Sequence, residues 1–155
     1  MSHITAVKTA ITDLDVLQAA MVELGFPLER GERLSVTDYY GSKVAVEARI
    51  PLGKYSLGFR RGTEGAYEIV GDFWGVAGNC QHPKIRTACR EARGSVAEIT
   101  ASAERGITTL LARPYAVSAA RREIARNPKY RGFQVNEERN QEGEVVRLSL
   151  SRRTY

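Results

Sequence analysis

The chain has 155 residues, 43% hydrophobic and 26% charged, a composition that excludes fibrous, collagenous and disordered classes. A chain of this length buries about two thirds of its unfolded surface, so one domain over residues 1–155 needs no disulfide or metal staple. Its 23 basic residues outnumber 18 acidic ones for a net charge of +5, which points to an anionic partner without naming one.

The first eleven residues lack the apolar run that a secretory signal requires, and no stretch approaches the ~20 apolar residues of a membrane span. The expectation is a soluble, cytoplasmic protein with no membrane partner. In that setting Cys80 and Cys89 stay reduced and behave as small hydrophobes.

Residues 2–11 alternate as a strand, with His3, Thr5, Val7, Thr9 and Ile11 on one face. A helix then opens at Thr12, which with Asp15 approximates a capping box, and Gly25 closes it. Leu14, Leu17, Met21 and Leu24 form its core stripe. Residues 34–40 and 43–50 pair across a two-residue turn, Gly41-Ser42. After a turn at residues 51–54, strands over 55–60 and 66–71 flank a Gly-containing loop.

Phe73-Trp74-Gly75 reads as a turn, after which the composition changes to Ala, Arg, Glu and Ile, which favours helix. Pro83 opens a helix running to about Glu104, with Gly94 a weak point and a small-residue stripe through Ile85, Ala88, Ala92, Val96, Ile99 and Ala103. Pro114 starts a second helix, ended by Asn127-Pro128, with Ala116, Val117, Ala120 and Ile124 facing inward. A hairpin of residues 133–139 and 145–153 completes the order β-α-β-β-β-β-α-α-β-β. This is an α+β domain: an antiparallel sheet with helices packed on one face around a helical middle at 83–126. The strand-helix at the front and helix-hairpin at the back echo a ferredoxin-like sandwich.

No constellation of residues spells out a reaction. Cys80, His82 and Cys89 are the one soft-ligand cluster, but structural zinc wants four ligands in paired spacings and His3 is the only other histidine. Buried thiols are the reading, with no metal or other cofactor expected. A Cys-His nucleophile would use Cys80 with His82, though no protease signature surrounds them. The segment Gly71-Asp72-Phe73-Trp74-Gly75 lacks the glycine spacing and lysine of a phosphate loop. Asp38, Glu47 and Asp72 lie on or beside strands and read as solvated surface charge.

Two features suit an interaction surface. Phe73 and Trp74 either pack beneath a loop or anchor a protein interface, and Tyr39 and Tyr40 at a hairpin tip allow the same two readings. The charge is also divided: residues 1–75 hold 8 basic and 10 acidic side chains, net -2, whereas residues 76–155 hold 15 and 8, net +7. Arg86, Arg90 and Arg93 recur at helical spacing, as do Arg122 and Arg126, and such a face can track phosphates. Glu91, Glu98, Glu104 and Glu123 are interleaved, so ion pairs within the helices would instead leave a mixed, solvated face.

Three blocks of the chain carry a resemblance. They are Met1 to Thr9 (MSHITAVKT), Gly58-Phe59-Arg60-Arg61 followed by Gly65 to Gly75 (GAYEIVGDFWG), and Gly132 to Glu138 (GFQVNEE) with Val146 to Arg152 (VRLSLSR). In order and position they resemble an uncharacterised family of conserved reading frames of cyanobacteria, algal plastids and other bacteria, while residues 84–113 match none of its blocks. The resemblance implies a small soluble protein with no assigned catalytic residue, whose genes often lie beside those of AAA-type ATPases. The expectation is therefore a non-catalytic accessory or adaptor subunit of a larger assembly. Its contacts would be Phe73, Trp74, Tyr39, Tyr40, Arg86, Arg90, Arg93, Arg122 and Arg126, with an acidic protein surface as partner. Two alternatives stand beside it: a nucleic-acid-binding protein using the basic helical face, and an enzyme using Cys80 and His82. Self-association is left open.

Overall fold

The computed structural model describes residues 3–153; Ser2, where the expected first strand begins, lies outside them. Strand β1 (Thr5–Lys8) leads through helix α1 (Leu14–Leu24) to a meander of β2 (Glu29–Thr37), β3 (Lys43–Leu52), β4 (Tyr55–Arg61) and β5 (Tyr67–Gly71). Helices α2 (Phe73–Asn79), α3 (Pro83–Ala88) and α4 (Val96–Arg126) follow, and β6 (Phe133–Arg139) with β7 (Val145–Arg152) closes the chain. The five-stranded sheet has the order β1-β5-β4-β3-β2 and every neighbouring pair in it is antiparallel.

The chain is thus an α+β protein with helices on one sheet face, as its patterning implies. The ferredoxin-like echo differs in detail, because no strand returns to the sheet after the helices. β6 and β7 form a separate two-stranded sheet, and α1 instead carries the chain from one edge strand, β1, to the other, β2.

The core lies between the helices and one sheet face. Ala48, Ile50, Leu57, Phe59 and Ile69 meet Leu17, Ala20 and Met21 of α1, Phe73 and Val76 of α2, Ile85 of α3, and Ala103, Ile107 and Leu111 of α4. Burial of each large apolar side chain contributes about 1.5–3 kcal/mol. On the opposite face Val36, Val46 and Val70 form a small second cluster. β3 pairs with β4 only from Ala48 onward, so the distal end of the β2–β3 hairpin is free to bend across the back of the sheet. Gly58 makes room for it, since a Cβ there would stand 2.5 Å from Val46.

Local chemistry accounts for the departures from the sequence expectation. Asp13, not Thr12, caps α1, its carboxylate accepting from the Asp15 and Val16 amides at 2.8 and 3.2 Å. Phe73-Trp74-Gly75 is not a turn but the first turn of α2, capped by Asp72, whose Oδ1 accepts from the Gly75 amide at 2.9 Å. The helix expected from Pro83 to Glu104 is broken: Gly94 takes φ +106° and Ser95 caps α4, its hydroxyl accepting from the Glu98 amide at 3.2 Å and donating to the Glu98 carboxylate at 3.0 Å. Conversely, Pro114 starts nothing. It lies inside α4, which runs unbroken for 31 residues, even though an interior proline forfeits a ladder hydrogen bond and costs about 3 kcal/mol. Packing overrides that cost along a stripe of Ala103, Ile107, Leu111, Tyr115 and Ser118. This continuous register leaves Ala116 exposed and Val117, Ala120 and Ile124 only half-buried, where an inward face was expected.

The described part of the chain has no helix long and apolar enough to cross a membrane. α4 approaches α3 closely at Gly106, where a Cβ would stand 2.0 Å from the Ala88 carbonyl oxygen. Backbone cannot swing aside as a side chain can. Gly106→Ala is therefore expected to lower stability by about 1–3 kcal/mol. Gly78→Ala in α2, where open space awaits the methyl, should be neutral or slightly stabilising; urea denaturation of both variants provides the comparison.

Candidate functional site

The β2–β3 connection is longer than the two-residue turn expected. Asp38 organises it, its Oδ1 accepting from the Tyr40 and Ser42 amides at 2.9 Å each, while Gly41 turns the chain at φ +85°. This Asx turn occupies the local backbone donors and places Tyr39 and Tyr40 at the tip, 57% and 60% exposed. Their rings stack edge-on with centroids 5.3 Å apart. Lys54, in the next turn, sets its Nζ 5.2 Å from the Tyr39 ring centre and 5.5 Å from that of Tyr55. Tyr55 in turn packs so closely on Gly75 that a Cβ there would meet its ring at 2.6 Å. A run of contacts therefore joins the tyrosine tip to α2. Phe73 and Trp74 part company on that helix: Phe73 is fully buried and belongs to the core, while Trp74 is half-buried.

The arginines also divide. Arg122 reaches Asp13 at 3.1 Å and ties α4 to the cap of α1, a structural task that the sequence reading had assigned to a partner. Arg86, Arg90, Arg93 and Arg126 are exposed, and none makes an ion pair among the described residues. The helical face expected of the first three does not form, because α3 ends at Ala88 and leaves Arg90 and Arg93 in the non-helical stretch before α4. Three of the four interleaved glutamates are engaged elsewhere, while Glu91 is exposed and makes no ion pair among the described residues. Glu98 takes the Ser95 hydroxyl, Glu104 accepts from Thr5 at 2.7 Å, and Glu123 accepts from Asn127 at 2.9 Å. The neutralising pairs expected along these helices do not form.

Residues without a signal in the sequence complete the picture. Arg121 bridges Glu23 of α1 and Glu137 of β6, the latter at 2.6 Å. It fastens the terminal hairpin and α1 to α4, and its partners are too distant in sequence for any spacing to announce them. Asp72, expected on the surface, is 1% exposed, and its Oδ2 has no partner. Glu47 accepts from the Tyr67 hydroxyl at 2.9 Å, and that hydroxyl accepts from Arg61 at 2.7 Å. Asp38, Glu47 and Asp72 thus each serve a local bond.

The Cys80, His82 and Cys89 segment has a structural character. His82 Nδ1 accepts from the Lys84 amide at 3.2 Å, capping α3, and its ring stacks on Phe26 with centroids 4.1 Å apart. Burial, with the nearby Lys84 charge, holds the imidazole pKa below its usual value. Both thiols are buried and free, and burial beside Cys80 pushes the Cys89 pKa up to about 11. Among the described residues no three His, Cys, Asp or Glu side chains gather where they could hold a metal ion. A cleft of about 560 Å³ separates the α1 and α4 surfaces from the β6–β7 turn, with Glu23, Lys84, Arg113, Pro114, Arg139 and Glu144 among its walls.

These features describe an α+β protein whose exposed arginines and aromatic hairpin tip are its distinguishing surfaces. The family model for a protein of unknown function, DUF1257, matches residues 20–149, and the chain belongs to that family. The match runs through residues 84–113, which had shown no likeness to the family's blocks, and begins beyond the N-terminal block. No curated protein and no solved structure matches the chain.

Two outcomes follow. Neither thiol should react quickly with a disulfide reagent at pH 8 in the folded protein, and both should react on unfolding in urea; a fast native burst would mean an activated thiolate. The hydrogen bond from Arg121 holds the Glu137 carboxyl below its usual pKa, with the Arg139 contact acting in the same direction. A depressed carboxylate adds stability above its unfolded pKa and loses it as pH falls through the folded value. Acid titration of stability should thus steepen below about pH 4.3, and Glu137→Gln should remove that component.

Proposed function

We propose that this chain is a non-catalytic accessory or adaptor subunit that docks onto an acidic surface of a partner protein within a larger assembly. One observation carries the reading: Tyr39 and Tyr40 are held in solvent by the Asp38 turn, stacked on each other beside Lys54. Tyrosine anchors at low conformational-entropy cost are enriched in protein interfaces, and a rigid turn keeps that cost low. The exposed arginines supply forks that suit carboxylates. The gene neighbourhood implied by the family resemblance supports an AAA-type ATPase as the kind of partner, with this chain supplying binding and the partner supplying nucleotide chemistry.

The test is affinity purification at native salt, followed by mass measurement and by repetition with Tyr39→Ala/Tyr40→Ala. The expected result is one partner recovered with the parent chain and lost with the double variant. A parent that emerges alone, or a partner indifferent to the tyrosines, overturns the reading. Trp74 is the only tryptophan in the chain, so its fluorescence offers a readout of docking near α2.

The unpaired Arg86, Arg90 and Arg93 favour nucleic acid as a second reading. Binding through them would weaken steeply with salt, with a slope of roughly -0.9 per phosphate neutralised. Replacing all three by Ala should flatten that slope by roughly three. Filter binding that is flat across salt removes this reading.

A further inference from the structure

The β6–β7 hairpin stands apart from the main sheet and is unusually apolar for its exposure. Val135, Val146 and Leu150 are 36%, 42% and 36% exposed, and among the described residues the other large hydrophobics this exposed are Val22 and the two tip tyrosines. Val135 faces Leu150 and Phe133 faces Arg152 across the ladder, so an apolar stripe follows one face of the hairpin. A two-stranded sheet on its own is marginal in water. This one is attached to the body through buried Val145, the Arg121–Glu137 ion pair and a long Lys84–Glu144 contact at 3.8 Å.

Among the described residues β7 pairs with β6 alone, so its other edge is open. The Arg153 amide donates to the Gly132 carbonyl at 3.0 Å, and antiparallel ladders alternate. Ser149 and Ser151 therefore address β6, while Leu148, Leu150 and Arg152 turn their N–H and C=O groups outward. The charges flanking this edge are polarised: Glu142 and Glu144 precede the strand, and Arg152 and Arg153 end it.

We propose that β7 pairs antiparallel with β7 of a second copy of this chain, about a two-fold axis at Leu148, to make one four-stranded sheet. That register sets Leu148 against its own copy and Val146 against Leu150 twice, joining the two apolar stripes. The same antiparallel direction brings the acidic start of each strand to the basic end of the other, twice. A parallel pairing would bring like charges together. The contact is isologous and closes after two copies, so it consumes the open edge rather than propagating it. It involves neither the tyrosine tip nor Arg86, Arg90 and Arg93, so its failure leaves the adaptor reading untouched.

Sedimentation analysis across a wide concentration range tests it. The expected mass rises from 17.2 kDa to twice that value. Leu148→Asp should leave a folded monomer by circular dichroism. Should that variant unfold, the charge series decides, because it alters residues at the ends of the strand. Arg152→Glu/Arg153→Glu should raise the dimer dissociation constant by about tenfold or more, and adding Glu142→Arg, which leaves the Lys84–Glu144 contact in place, should restore it in part. A parent chain monomeric at every concentration overturns the proposal. So does a dimer that ignores both Leu148→Asp and the charge reversal, or one that the compensating swap fails to restore even in part.

Discussion

The structure depends on one apolar stripe of α4. Ala103, Ile107, Leu111, Tyr115 and Ser118 are buried along it, and it forms a common wall for the packing of α1, α2 and α3. Because spacings of three and four keep the stripe on one side of the helix, α4 can tolerate Pro114 in its interior. The Tyr115 hydroxyl also accepts from the Thr12 and Asp13 amides at 3.0 and 3.2 Å, so the same helix holds the entrance of α1. Everything placed on the outside is referenced to this wall: α3 through the Gly106 contact, and the terminal hairpin through Arg121.

Much of this was legible before any coordinates, wherever the signal was local. The stripe Leu14, Leu17, Met21 and Leu24 lies on the packed side of α1, and Gly25 takes φ +78° behind it. β3, β4, β5 and both strands of the final hairpin lie close to their expected bounds, whereas β2 runs over Glu29–Thr37 and not 34–40. Errors arose where tertiary context outweighed local preference. Phe73-Trp74-Gly75 reads as a turn because two aromatics and a glycine form poor helix, yet Phe73 needs the core and Asp72 supplies the cap. Pro114 reads as a helix start because proline is common there, and only the packing partners of α4 reveal otherwise.

The candidate surface was legible in part for the same reason. Tyr39 and Tyr40 were placed at a hairpin tip, but the agent that holds them there is Asp38, whose Asx geometry depends on the full five-residue connection. Of the arginines singled out, Arg122 is consumed by Asp13 while Arg86, Arg90, Arg93 and Arg126 stay in solvent. Spacing along a helix treats these side chains alike. What separates them is whether a carboxylate from another element arrives. The positive excess of the second half of the chain thus reaches the surface along Arg86, Arg90 and Arg93 without ion pairs, because Glu98 and Glu104 are held by hydroxyls and Glu91 points to solvent.

The position of β1 has a consequence for how the molecule is made. Thr5 pairs with Gly71 and Lys8 with Glu68, so β1, once it leaves a ribosome, lacks this neighbour until the last strand of the meander has been synthesised. α1 waits longer still, since the wall against which it packs ends near Ser118. Contacts so distant in sequence slow folding through the loop entropy they must first overcome. The nascent N-terminal half therefore carries an unpaired strand and an uncovered apolar helix face for most of its synthesis, and the β2–β5 meander is the part able to form first.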